Sequence, residues 1–300
     1  MTDTRPQKLD QAGGPQPDTP GGIRSAARAL ARRWGTATAD RRGLPDFLVV
    51  GTKRGGTTTL FRALQSHPGV APLFPSRQHT KSPHYFDLNY DRGESWYRSF
   101  FPTARALGRA GHDRLTGEAS PYYMFHPLAP GRIASDLPSV RLLVLLRDPV
   151  DRAASHHWDR VQHGVEHLPF ELAVAMEPER LAGEREHMEA DPGYQSDAYE
   201  HFSYLARGHY AEQVERLIAL FGRDRLLVAR SEDLYADPER TYDEVLGFLG
   251  LPSHCPGTFG RHHAHDGRPP VPDALRSDLA TYFAPHNERL AELLGTDVWW

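Results

Sequence analysis

The residue types best suited to chemistry lie in residues 47–64, FLVVGTKRGGTTTLFRAL. Gly51, Gly55 and Gly56 space a loop where backbone can approach a ligand closely, and Lys53 and Arg54 place two cations inside it. Thr57, Thr58 and Thr59 then open a run with helical spacing at Leu60, Ala63 and Leu64. A glycine loop at a helix N-terminus points backbone N–H groups outward with the positive end of the helix dipole, so a phosphate or sulfate is the expected occupant. A second set follows residues 142–146. There Arg147 stands where an apolar run ends, Asp148-Pro149 opens a turn into a helix, and Ser155 comes eight residues after the arginine. A guanidinium can hold a phosphate through two parallel hydrogen bonds, and a hydroxyl can add a third.

The elements that must position these groups are legible in the apolar pattern. Residues 47–50 and 142–146 are apolar without alternation, which is how strands buried on both faces of a parallel sheet read. Ligands of open α/β sheets bind beyond the carboxyl ends of such strands, where Lys53, Arg54 and Arg147 fall. Residues 226–229 read as another strand, residues 210–221 as a helix ended by Gly222, and Asp237-Pro238 as the start of a helix closed by Gly250. Two amphipathic helices are expected around Pro285 within residues 275–294. The expected fold is α/β, a central parallel sheet flanked by helices, over residues 44–300. Residues 1–43 hold seven Gly and Pro between positions 13 and 22 and little apolar surface, so a disordered tail is expected. Within it, residues 23–34 could form a short basic helix, either transient or docked on a membrane surface or partner. Residues 169–208 are the least informative: 170–176 suggest a helix, 177–191 are mostly charged, and the segment reads as a solvated face or as a lid over an acceptor.

Composition sets bounds. The 300 residues are 39% hydrophobic and 25% charged, ordinary for one globular domain, and a net charge of −4 argues against a general nucleic-acid binder. Cys255 is the single cysteine, which excludes an internal disulfide and a cysteine-based zinc framework and fits a reducing cytoplasm. No apolar run approaches the roughly 20 residues of a membrane span, and the N-terminus lacks the apolar core of a signal peptide. Three histidines at 262, 263 and 265 do not by themselves give ligand geometry, and no metal site is expected. Nothing in the sequence indicates the oligomeric state.

The loop departs from the nucleotide-triphosphate P-loop, in which lysine follows the last glycine: here Gly56 is followed by Thr57 and Thr58, and the cations lie upstream. It resembles the 5'-phosphosulfate loop, roughly K/R-x-G-T-T, of sulfotransferases that use 3'-phosphoadenosine-5'-phosphosulfate (PAPS). The Arg147 to Ser155 spacing resembles their 3'-phosphate site, and Gly267-Arg268 resembles the K-G-R loop that closes over that phosphate, with Asp266 in the lysine position. Residues 81–87, KSPHYFD, resemble the K-E-P-H-F-F-D segment of the heparan sulfate sulfotransferase group. Ser82 falls where that group has the glutamate that acts as base on the acceptor hydroxyl. His84, with an ordinary pKa near neutrality, either replaces that base or only orients the acceptor. Residues 116–123, TGEASPYY, resemble T-G-E-K-S-P-x-Y, with Ala119 for the lysine and Lys81 as its nearest chemical replacement. Glu118 is then either a base or a partner that pairs with Arg54. The aromatic run at 96–102 also matches the group and is read as core.

The resemblance implies a P-loop-like sulfotransferase fold and a reaction in which an acceptor oxygen displaces adenosine 3',5'-bisphosphate (PAP), without a required metal. Lys53 and Arg54 would neutralise the leaving 5'-phosphate, Thr57 and Thr58 with the Gly55 and Gly56 backbone would hold it, and Arg147 and Ser155 would fix the 3'-phosphate. The implied acceptor is a small molecule or glycan, preferably a hydroxyl of a carbohydrate or glycosylated metabolite. A phenol, a lipid or a peptide tyrosine stays open, since Arg54 in its loop also resembles the tyrosylprotein group. Two other classes stay open: a magnesium-dependent P-loop kinase with Asp148 holding the metal, and a nucleotide-binding pseudoenzyme without transfer.

Overall fold

The two apolar runs become neighbouring strands at the centre of a five-stranded parallel sheet. The structure, a computed structural model, describes residues 23–75, 82–108, 114–256 and 267–300, with side chains from residue 29 onward. The strands are β1 Phe47–Gly51, β2 Val70–Ala71, β3 Leu115–Ala119, β4 Arg141–Leu146 and β5 Leu226–Arg230, in the order β2-β3-β1-β4-β5. Every residue of β1 is buried, as are Leu142 to Leu146 of β4, which accounts for the missing alternation. Leu48 of β1 lies opposite Glu118 of β3 on one side and Leu142 of β4 on the other. From β1 the chain moves toward the β3/β2 edge, whereas from β4 it moves toward β5. The loops after these two neighbours therefore diverge, and a crevice is left at their carboxyl ends.

Strand β3 carries no apolar run, and the sequence did not announce it. Its sequence is LTGEA, and Gly117 is needed because a Cβ there would lie 2.6 Å from the Phe47 ring and backbone. The helices Thr57–Ser66 and Pro149–Gln162 follow β1 and β4, and Tyr210–Phe221 and Pro238–Leu249 pack their apolar stripes on the sheet. Phe100, Phe101 and Tyr97 are buried in the same core.

Three expectations change. The C-terminal segment is one helix, Asp273–Leu294, with Pro285 inside it, because Leu279, Phe283, Asn287 and Leu290 keep one buried stripe across the proline. Residues 169–208 are neither a bare solvated face nor an isolated lid: Glu177 accepts the Leu205 and Ala206 amides, and Ala173, Val174 and Tyr204 build a small core with Ala153. The tail expected over residues 1–43 is structured in the part that is described. Ile23–Ala37 is a helix, Arg32 donates to Ser99 Oγ (2.9 Å) and the Phe74 carbonyl (3.2 Å) and lies over the Phe100 ring, and Arg42 is buried. The composition hid this because arginine, not leucine, supplies the contacts: Arg42 donates to the Phe101 carbonyl at 2.6 Å and covers the Trp34 and Phe74 rings.

Arg42→Ala should therefore lower stability by about 1–3 kcal/mol, the range for removing a hydrogen bond made by a buried charged group. The check is the urea midpoint at constant slope; an unchanged midpoint would mean that residues 29–42 do not stabilise the domain.

Candidate active site

The anion loop is pressed against the end of β4. Thr52 N–H donates to the Leu145 carbonyl at 2.9 Å, and a Cβ on Gly55 would come within 2.5 Å of the same oxygen, so only glycine fits there. Ser231 Oγ donates to the Gly55 carbonyl at 2.6 Å and ties the loop to the segment after β5. Thr57 and Thr58 occupy the first turn of the following helix, as expected. Among the described residues, Arg54 (φ 73°) and His84 (φ 49°) are the two non-glycine residues with positive φ. Such backbone costs about 1–3 kcal/mol and tends to persist where a site requires it.

Arg54 is where the two predicted sets meet. Its Nε donates to Ser155 Oγ at 3.1 Å and its Nη1 to Asp159 Oδ1 at 3.0 Å, while Arg147 Nη1 donates to the Arg54 carbonyl at 3.4 Å. Burial lowers the pKa of Arg54, and Asp159 opposes the shift. The Asp159 carboxyl is held below the usual carboxylate range: burial alone would raise it, but Arg54 and Arg160 outweigh burial. Arg268 Nη1 donates to the Asp151 carbonyl at 3.1 Å, and Asp151 also takes Arg276 at 2.8 Å and feels Arg147. Gly267-Arg268 is thereby brought to the Arg147 side of the crevice.

Lys53 points into a second ring of charge that the sequence did not disclose. Burial first, then Arg160 and Arg207, push its ammonium pKa well down, while Glu200 and Asp159 pull it back. Arg160 contacts Asp159 and lies 3.1 Å from His201 Nδ1. Arg207 stacks over the Tyr122 and Phe125 rings and donates to the Glu200 carbonyl at 2.8 Å. Its Nε and Nη1, and both ring nitrogens of His156, have no hydrogen-bond partner among the described residues. Asp159 was findable, since it lies four residues after Ser155 on one helix face. Glu200, His201 and Arg207 lie in the segment whose sequence gave no pattern.

The opposite wall carries the acceptor-side candidates. His84 is 18% exposed by its side chain, and its Nδ1 pairs with Asp87 Oδ2 at 2.8 Å, which leaves Nε2 as the atom for a ligand. Burial would lower the His84 pKa, but Asp87, with Glu200 and Glu118, raises it above the ordinary value. Glu118 does not pair with Arg54. It is fully buried, and it accepts Tyr97 OH (2.7 Å) and Tyr123 OH (2.9 Å) on Oε1 and Ser120 Oγ (2.5 Å) on Oε2. Ser82 Oγ lies 2.6 Å from Ser120 Oγ. Asp148, considered as a magnesium ligand, instead caps its helix by accepting the Asp151 N–H at 2.8 Å. Lys81 and the histidines at 262, 263 and 265 lie outside the described residues. His209, Glu212 and His286 bring ligand atoms within 4.8 Å, but the two imidazoles stack at 4.0 Å and 8°, so their in-plane lone pairs do not converge on one ion.

The profile of the sulfotransferase domain matches residues 44–265. The chain belongs to this sulfotransferase family. It is 31% identical over 86% of its length to the human bifunctional heparan sulfate N-deacetylase/N-sulfotransferase 3, and spans 30% of that protein. It is 28% identical over 87% of its length to the human heparan sulfate glucosamine 3-O-sulfotransferase 6, and spans 75% of it. A crystal structure of a sulfotransferase from Alicyclobacillus acidocaldarius matches with a TM-score of 0.61 and 29% identity, covering 85% of this chain and 97% of the neighbour. The sulfotransferase fold expected from the two phosphate loops is thus shown.

The His84–Asp87 pair has a measurable sign. A histidine whose folded pKa exceeds its unfolded one contributes stability that is fully present below the unfolded value, near 6.5, and is lost as pH rises through the folded value. Asp87→Asn should shift the His84 imidazole NMR titration to lower pH and diminish that contribution. An unmoved midpoint would show that another group sets it.

Proposed function

We propose that this sulfotransferase-family chain moves the sulfuryl group of PAPS to a hydroxyl oxygen of a carbohydrate or glycosylated metabolite. The observation that carries the reading is the meeting of Arg54 from the loop after β1 with Ser155 and Arg147 from the segment after β4. One cation-lined crevice is thereby supplied with donors from both loops, as a ligand with phosphates at two positions of one ribose requires. The unpartnered donors of Arg207 and His156 around Lys53 fit a polyanion better than a neutral ligand.

In this reading Lys53, Arg54, Thr57, Thr58 and the Gly55 and Gly56 amides hold the 5'-phosphate and offset the charge that builds on it as the sulfur–oxygen bond breaks. Arg147 and Ser155 take the 3'-phosphate, with Arg268 beside them. Arg54 would exchange Ser155 and Asp159 for ligand oxygens, which keeps the loop ordered before the donor arrives. His84, whose raised pKa favours the imidazolium, positions the acceptor and adds positive charge near the transferring group. Positioning and charge compensation supply most of the acceleration, as in phosphoryl transfer. The heparan sulfate relatives support a sugar acceptor. Among the described residues no helix is long and apolar enough to cross a membrane, and the lone exposed thiol of Cys255 fits the cytoplasm as the site of action.

Radiolabelled sulfuryl transfer from PAPS to a panel of oligosaccharides, phenols and alcohols tests the activity. At the donor site, Arg147→Ala should weaken PAP about 10- to 100-fold by calorimetry, the range for a lost charged hydrogen bond, and leave adenosine 5'-monophosphate nearly unaffected. Equal losses for the two nucleotides would contradict the 3'-phosphate role.

A further inference from the structure

The acceptor hydroxyl must lose a proton as it attacks sulfur, and an imidazolium at His84 is poorly placed to take it. Behind the wall there is a second route. Ser82 is half-buried beside His84, Ser120 is buried, and Glu118 is fully buried on β3, with successive distances of 2.6 and 2.5 Å. The chain of hydroxyls has a direction. Ser120 gives its hydrogen to Glu118 Oε2, so the Ser82–Ser120 contact must be donated by Ser82, and the Ser82 oxygen is left to accept from outside. Tyr97 and Tyr123 occupy the other carboxylate oxygen, which fixes Oε2 on the serine.

We infer that Ser82, Ser120 and Glu118 form a proton relay that serves as the general base of this enzyme. The inference rests on the sulfuryl-transfer reading. As the acceptor oxygen forms its bond to sulfur, the sulfur–oxygen bond to the 5'-phosphate breaks and its electron pair stays on the phosphate. The acceptor proton passes to Ser82 Oγ, the Ser82 proton to Ser120 Oγ, and the Ser120 proton to Glu118. Both serines end neutral, and Glu118 ends as the acid. It returns its proton by the same path once the sulfated product has left. The carboxyl is suited to this task. Burial raises its pKa to about 7, against the opposing pull of Ser120, Tyr97, Tyr123 and the charge of His84, so it is an anion just above neutrality and a matched base there. Among the described residues, these are the groups that face it. Because the base must be ionised, turnover should fall as pH drops through the Glu118 value. Within the relay Ser82 touches the acceptor, whereas Ser120 and Glu118 act through it.

Ser120→Ala breaks the relay but leaves Tyr97 and Tyr123 on Glu118. The assay follows release of PAP from PAPS with heparan sulfate as acceptor and, separately, with water, together with calorimetric PAP binding. Ser120→Ala should lower turnover about 100-fold, a moderate general-base contribution, remove the limb near pH 7 and leave PAP affinity unchanged. Adding Ser82→Glu to Ser120→Ala should restore turnover to within about tenfold, because a carboxylate at the rim needs no relay; a merely structural role for Ser120 would give no such rescue. Wild-type turnover and pH profile in Ser120→Ala, or failure of Ser82→Glu to rescue a variant that still binds PAP, would overturn the relay. If the wild type binds no PAP, or moves no sulfuryl group to either acceptor, it is the transfer reading that fails, and the relay has no reaction to serve.

Discussion

Positive charge crowded at the carboxyl ends of β1 and β4 is the constraint on which the site depends. Arg54 and Arg147 are in contact through the Arg54 carbonyl, Lys53 feels Arg160 and Arg207, and Asp159 and Glu200 supply the opposing charge. Like charges about 4 Å apart repel by about 4 kcal/mol at an effective dielectric near 20, so such a cluster favours an anion strongly. The Arg54–Asp159 pair, 3.0 Å and largely buried, holds the principal loop cation in place. Removing Asp159 would leave a buried charge without its partner, the costly way to break such a pair.

The two walls of the crevice use carboxylates differently. Beside the loops after β1 and β4, Asp159 and Asp151 are kept ionised by arginines and act as fixed counter-charges. On the wall that carries His84, Asp87 fixes the His84 ring, while Glu118 faces hydroxyls and, among the described residues, no cationic side chain donates to it. Burial therefore governs Glu118, and it can change protonation state where Asp159 cannot. The divergence of the chain from β1 and β4 makes both walls possible, since β3, which bears Glu118, lies directly beside β1 on the side away from β4.

The parallel sheet and the meeting of the loops after β1 and β4 were legible because unalternating apolar runs and glycine spacing are local signals. Phe47 to Val50 and Leu142 to Leu146 mark buried strands wherever they occur, and Arg54, Arg147 and Ser155 follow them at the strand ends. Strand β3 was illegible because its burial rests on Gly117 admitting the Phe47 ring, a tertiary fit. The packing of residues 29–42 was hidden because Arg32 and Arg42 make it, as guanidinium groups laid over aromatic rings and as hydrogen-bond donors, roles invisible to hydrophobicity. Glu200, His201 and Arg207 reach Lys53 from a segment more than a hundred residues away, and no spacing in the chain encodes that approach.

The most direct test of the central claim is thermal stabilisation of the full chain by PAP compared with ATP, each with and without magnesium, because a ligand that binds only the folded state raises its apparent stability by mass action. A metal-independent shift with PAP that exceeds the shift with ATP is the predicted result. A shift seen only with ATP and magnesium would contradict the account, because the cations after β1 and β4 would then be serving a nucleoside triphosphate.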